Sequence, residues 1–120
     1  MRKITEHVAN PVNDRIEITV MDEPGSGGAH HYYYVDVDRG SGHSLDVHFQ
    51  NGPIAEVGVN GVTHEALLAI VIDRLRCFQE GPFPSPENLD ALNHATWALK
   101  ALKERTLKRM ARGVEGRSVA

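Results

Sequence analysis

Apolar residues alternate with polar ones through the first half of this chain and recur at helical spacing through the second. Ile16, Ile18 and Val20 alternate with Glu17 and Thr19; Tyr33, Val35 and Val37 alternate with Tyr34, Asp36 and Asp38; Leu45, Val47 and Phe49 alternate with Asp46 and His48. Successive side chains of a strand point to opposite faces, so each run predicts a strand with one apolar and one wet face. Gly25-Ser26-Gly27-Gly28 and Arg39-Gly40-Ser41-Gly42 separate the runs and supply the turns of an antiparallel meander. Three strands are expected, or four with residues 2–8.

The period then changes. Gln50-Asn51-Gly52-Pro53 ends the third strand, and Gly58-Val59-Asn60-Gly61 makes a tight turn before a first helix over 64–79. Thr63 is its expected N-cap, with Glu65 near the positive end of the helix dipole. Leu67, Leu68, Ile70, Val71, Ile72, Leu75 and Phe78 cover more than one narrow stripe. One face is therefore expected to meet the sheet and another a second subunit. Ser85-Pro86-Glu87 combines a capping serine, a proline at the first helical position and an acid behind it, which starts a second helix running to Arg112, with Gly113 as its stop. Leu89, Leu92, Leu99 and Met110 fall on one stripe of it, and the small residues Ala91, Ala95 and Ala98 with Leu102 on a neighbouring one. The Gly81-Pro82 turn folds the two helices into an antiparallel hairpin.

These patterns predict an α+β fold: an N-terminal antiparallel β-meander of three to four strands over 1–62, then a C-terminal antiparallel two-helix hairpin over 63–112 and a loose tail at 113–120. At 120 residues a single domain with a modest core is expected. No apolar stretch is long enough to span a membrane, and the N-terminus lacks the basic-then-apolar pattern of a signal peptide, so a soluble, unprocessed chain is expected. The single cysteine, Cys77, excludes an internal disulfide and suits a reducing cytosol.

Charge changes the picture. Residues 100–117 hold seven basic and two acidic residues, whereas residues 1–99 hold six basic and 14 acidic ones, so an acidic chain carries one basic end. That asymmetry points to an anionic partner met by the helix terminus. Cations at a helix C-terminus also suit the dipole with no ligand at all. Arg105, Arg109 and Arg112, however, stand at i, i+4 and i+7, a spacing that aligns three guanidinium forks for phosphate oxygens. Phe83 lies in an otherwise polar, proline-rich turn, where its ring either staples the hairpin or stays open to stack on a base. Asn93 offers a donor and an acceptor suited to a purine edge, or is a plain surface amide.

Signatures of catalysis are missing. None of His7, His30, His31, His43, His48, His64 and His94 has the spacing that places two ligands on one helix face, so no metal is expected. Asp36, Asp38, Asp46 and His48 imitate an acid/base cluster on the wet sheet face, but alternation explains them as solvated residues. The glycine run at 25–28 lies between two strands and is not a phosphate loop, and neither a cofactor nor a catalytic residue is expected.

Three blocks carry a family resemblance: Phe49-Gln50-Asn51-Gly52-Pro53-Ile54-Ala55-Glu56-Val57-Gly58-Val59-Asn60-Gly61-Val62; Ile70-Val71-Ile72-Asp73-Arg74-Leu75-Arg76-Cys77-Phe78-Gln79-Glu80-Gly81-Pro82-Phe83; and Arg105-Thr106 with Arg109-Met110-Ala111-Arg112-Gly113-Val114-Glu115-Gly116. Over about residues 49–116 the chain resembles the first-described anti-Thoeris sponge proteins of phages, whose helical hairpin is shared with anti-CBASS cyclic-oligonucleotide sponges. The resemblance implies a homohexamer, acting in the cytoplasm of the infected bacterial host, that sequesters cyclic ADP-ribose isomers made by TIR-domain immune enzymes without cleaving them. It also implies, from some relatives, separate sites for cyclic di- or trinucleotides on threefold axes. By the same resemblance Phe83 stacks on the base, Asn93 bonds to the ligand, and Arg105, Arg109 and Arg112 contact phosphate in pockets shared between subunits. Two departures stand out. Pro84-Ser85-Pro86 replaces the Ala-Cys-Arg-like run of many relatives beside Phe83, and Ala55 stands where many carry Lys or Arg for the second site.

The leading expectation is thus a noncatalytic, homo-oligomeric binding module, with no nucleic-acid or membrane partner. The alternatives are a small nucleic-acid-binding regulator using the basic helix end, or an enzyme degrading the same signal. A net charge of −3 argues against extended duplex binding, and the absent nucleophile-base pair argues against the enzyme.

Overall fold

The computed structural model describes residues 1–11, 14–38 and 40–113. Their contacts divide the chain into two compact units, Met1–Gly61 and Val62–Ala120. The expected tail after Gly113, the end of the third resembling block, and Arg39 of the second turn lie outside the described residues.

The first unit is a four-stranded antiparallel sheet of β1 (Arg2–Ile4), β2 (Glu17–Val20), β3 (Tyr32–Asp36) and β4 (Ser44–His48), paired in chain order. Register places Ile4, Ile18, Val35 and Leu45 in one cross-strand row and Val20, Tyr33 and Val47 in the next, which builds the expected apolar face. Lys3, Thr19, Tyr34 and Asp46 line the other face. Val20, only 1% exposed, is the centre of the apolar side. Ile16, Val37 and Phe49 sit one residue beyond the strands their alternation pointed to.

The β2–β3 connection turns through a short 3-10 helix, Ser26–Gly28, where Gly27 and Gly28 take φ of 72° and 80°, backbone that L side chains rarely adopt. Asp22 closes the connection. Its carboxylate accepts the backbone N–H of His31 (2.9 Å) and of Tyr32 (3.2 Å), and these bonds, with the His31 one foremost, hold it below the usual carboxylate range.

After β4 the chain makes one helical turn, α1 (Ile54–Val57), that periodicity does not forecast because Pro53 and Gly58 bracket only four residues. Side-chain amides hold this loop. Gln50 Nε2 donates to the carbonyls of Gly52 (3.0 Å) and Gly58 (2.8 Å), and Gln50 Oε1 accepts from Asn60 N (2.9 Å). Each of these bonds satisfies a backbone group that has no ladder partner in a loop.

The second unit is the expected hairpin, α2 (His64–Glu80) and α3 (Pro86–Ala111). Thr63 Oγ1 accepts from Ala66 N and Ser85 Oγ from Asn88 N, so both expected caps form. Gly113, at φ 71°, donates its N–H to the Met110 carbonyl and ends α3. The least exposed residues recur at alternating steps of three and four: Leu68, Ile72, Leu75 and Gln79 on α2, and Leu92, Ala95, Leu99, Leu102, Thr106 and Arg109 on α3. That is the seam of two helices packed like a coiled coil. The two stripes expected on α3 therefore merge, with Leu92, Leu99, Ala95 and Leu102 sharing the seam. Leu89 is exposed because it is rotated about 100° away from that seam, one residue being worth 100°. Met110, one residue on from the seam position Arg109, is exposed too.

Among the described residues only Val20 and Ile72 (5% exposed) are buried apolar side chains. Ile70, Val71, Phe78, Trp97 and Leu107 remain exposed on the hairpin. Among the described residues no helix is long and apolar enough to cross a membrane.

Candidate ligand-binding site

Phe83 stands at the tip of a braced turn. Gln79 Oε1 accepts from Ser85 N at 2.9 Å across the turn, Gly81 N donates to the Phe78 carbonyl, and Ser85 goes on to cap α3. The two bonds tie both ends of the connection, and the ring between them is 77% exposed. Of the two readings of Phe83, the open ring is the one observed. With the backbone beneath it tied at both ends, stacking against a base has only the side chain left to order.

Asn93 is exposed two turns into α3, and Arg105 is exposed three turns further on. Arg109 continues the seam of Leu102 and Thr106 and is 8% exposed, whereas Arg112 caps the helix and is exposed. The i, i+4, i+7 spacing thus does not yield three equally open forks. The same spacing that aligns the arginines carries the middle one into the seam.

These residues do not meet within one chain. At 1.5 Å per residue Asn93 is about 18 Å from Arg105 along the axis and about 24 Å from Arg109, and Arg105 is rotated from it by about 120°. Pro86, at the foot of the Phe83 turn, is about 35 Å from Arg109. No nucleotide-sized ligand bridges those separations. An open groove of about 280 Å³, lined by Val71, Arg74, Leu75, Phe78 and Asn88, lies between the helices and contains none of the five residues. Arg74 lies over the Phe78 ring there, 5.2 Å from its centre.

On the sheet, the wet-face carboxylates have separate engagements. Tyr32 donates its hydroxyl to Asp46 Oδ1 at 2.7 Å, a bond that raises the Tyr32 pKa, and its ring stacks on His48 with centres 4.3 Å apart. Asp36 accepts the Gly40 N–H, and Asp38 pairs with Arg15. Among the described residues no three His, Cys, Asp or Glu side chains gather as a metal site.

The family model of the Acb2/Tad1 hairpin domain matches residues 41–106. The protein Thoeris anti-defense 1 of Bacillus phage SBSphiJ7 is 45% identical over 82 residues, which is 68% of this chain and 58% of that protein. The chain belongs to the Acb2/Tad1 hairpin family. The matched stretch runs from the turn before β4 through α1 and α2 into α3, so it takes in Phe83, Asn93 and Arg105, while Arg109 and Arg112 lie just beyond it. The chain spans less than two thirds of the phage relative's length.

One hairpin residue gives no signal in the pattern. A lone tryptophan in a helix reads as core, yet Trp97 is 66% exposed, and Lys100 Nζ lies 4.8 Å from its ring centre. Its position four residues after Asn93 is the only sequence cue, and it becomes informative once Asn93 is known to face outward.

Proposed function

We propose that this protein is a noncatalytic sponge that binds and sequesters cyclic ADP-ribose-type signals made by bacterial TIR-domain immune enzymes, in pockets shared between copies of a homohexamer. The observation that carries this reading is the exposed Phe83 ring, held on a braced turn in a chain of the Acb2/Tad1 hairpin family. The similar phage protein is named for anti-defence against Thoeris, which supports a role for this chain in evading host immunity. Phe83 stacks on the base, Asn93 bonds to the ligand's edge, and of the group Arg105, Arg109 and Arg112 the two exposed members, Arg105 and Arg112, supply the phosphate contacts while Arg109 packs in the seam between them. Because one chain holds these groups too far apart, the arginines come from a neighbouring copy. The wide apolar exposure of the hairpin supports such assembly, since large exposed apolar patches mark surfaces that a partner covers. A second site for cyclic di- or trinucleotides would have to work with Ala55 in place of a cation.

The nucleic-acid reading loses ground with Arg109. A basic strip whose central guanidinium is buried offers few open charges to a phosphate backbone.

Calorimetry with a panel of cyclic ADP-ribose isomers and cyclic oligonucleotides tests the proposal, followed by heat denaturation and chromatography of the released ligand. Saturable binding of an isomer, one per chain, with chemically unchanged recovery is expected. Many turnovers to a linear product would overturn sequestration and turn attention to Asp36, Asp46 and His48.

A further inference from the structure

Asn93 lacks an intrachain route to the arginines, but it has close neighbours of suitable chemistry. On α3, Trp97 follows it by four residues and Lys100 by seven, so the three lie within about 10 Å of helix and an arc of about 60°. All three are exposed. The Trp97 indole presents one face to the Lys100 ammonium at 4.8 Å and remains 66% open. Among the described residues Lys100 has no carboxylate partner, although Glu104 stands one turn beyond it.

We infer that Asn93, Trp97 and Lys100 form one continuous nucleotide-contact surface on the outer face of α3, with Trp97 as a second stacking platform and Lys100 as the phosphate cation nearest to Asn93. This rests on the nucleotide-binding reading above and extends it by two residues. The chemistry is complete within one helix face: an amide that both donates and accepts, an aromatic plane for a base, and a cation for phosphate. A helix surface gains little from a cation over an exposed ring, whereas leaving the largest apolar side chain in water is unfavourable. Ligand stacking on the open side of the indole covers that surface while the ammonium stays in place to neutralise phosphate. The surface also removes a geometric difficulty, because Asn93 then has an aromatic and a cation in reach on its own helix face, and Arg105 and Arg112 of another copy close it from outside.

Trp97 is the only tryptophan of the chain, so its emission reports this surface alone. Cyclic ADP-ribose isomers are titrated one at a time, with linear ADP-ribose as control, while heat and tryptophan emission are followed on the same samples. Quenching that saturates together with the heat is expected. Trp97→Ala should weaken binding about tenfold, within the range for an aromatic–base stack, and Trp97→Phe should recover most of that loss. Lys100→Gln should weaken binding and flatten its salt dependence while light scattering reports an unchanged assembly. Heat of binding without any change in emission, and with Trp97→Ala within twofold of the parent, would overturn this inference and leave the sponge reading intact. Emission already blue-shifted without ligand, with Trp97→Ala dissociating the assembly, would assign the ring to a subunit contact and overturn it as well. Absence of heat with every isomer would bring down both readings.

Discussion

Asn51 and Asn60 hold each other twice: Asn51 N donates to Asn60 Oδ1 at 2.8 Å, and Asn60 Nδ2 donates to the Asn51 carbonyl at 2.7 Å. Together with Gln50 this pair fixes the loop that carries α1. Asn60→Ala removes both bonds and leaves two backbone groups to water, so it should cost about 1–3 kcal/mol of stability. Urea denaturation measures the loss. An unchanged midpoint would show that the loop is held by something other than its amides.

Gly61 should tolerate substitution far worse than Gly27, for different reasons. A Cβ on Gly61 would stand 2.4 Å from the Phe49 carbonyl carbon and 2.5 Å from the His48 oxygen, backbone atoms that have nowhere to go. A Cβ on Gly27 meets open space and carries only the strain of its positive φ, about 1–2 kcal/mol. Thermal melts should rank Gly61→Ala below Gly27→Ala. The reverse order would contradict the packing around Gly61.

Arg105 and Arg109 should separate affinity from stability. Arg105→Ala removes an exposed cation, so ligand binding weakens and its salt dependence flattens while the melting temperature hardly moves. Arg109→Ala empties a buried position in the seam and should lower the melting temperature. Calorimetry at two salt concentrations, set beside thermal melts, reads both effects. Equal thermal effects would mean that the seam does not need the Arg109 side chain.

Asp22 gives the sheet a defined pH dependence. Its folded pKa lies below the ordinary carboxylate value, so its contribution is fully present above about pH 4 and is lost as pH falls through the depressed value. The parent should therefore be more stable than Asp22→Asn at neutral pH, with the gap closing in acid. Denaturant midpoints across that range would show it; a gap that widens in acid would have the wrong sign for this carboxylate.

How far the sequence discloses all this depends on the range of the interaction. Strand alternation and the caps at Thr63 and Ser85 are written in residues a few positions apart, and both appear in the structure where their local chemistry places them. The single turn Ile54–Val57 is too short to have a period, and its support comes from Gln50 and Asn60, which are outside it. Arg109 illustrates a subtler limit. Spacing tells which residues share a face, but only the partner helix decides whether that face is inside, and Leu102, Thr106 and Arg109 prove to continue the seam. The candidate site was legible as residue types, Phe83 and Asn93 among them, and not as a place, since the distance along α3 separates it into pieces.

That separation bears on heredity as well as on affinity. A pocket that draws Phe83 from one copy and Arg105 from another can be rebuilt from two broken genes. Phe83→Ala chains and Arg105→Ala chains, each deficient in binding when made alone, should regain partial binding when expressed together, because some pockets receive the intact ring and the intact guanidinium. The same two substitutions in a single chain, made alone, leave no sound pocket. Calorimetry on coexpressed and doubly substituted protein would tell the two arrangements apart.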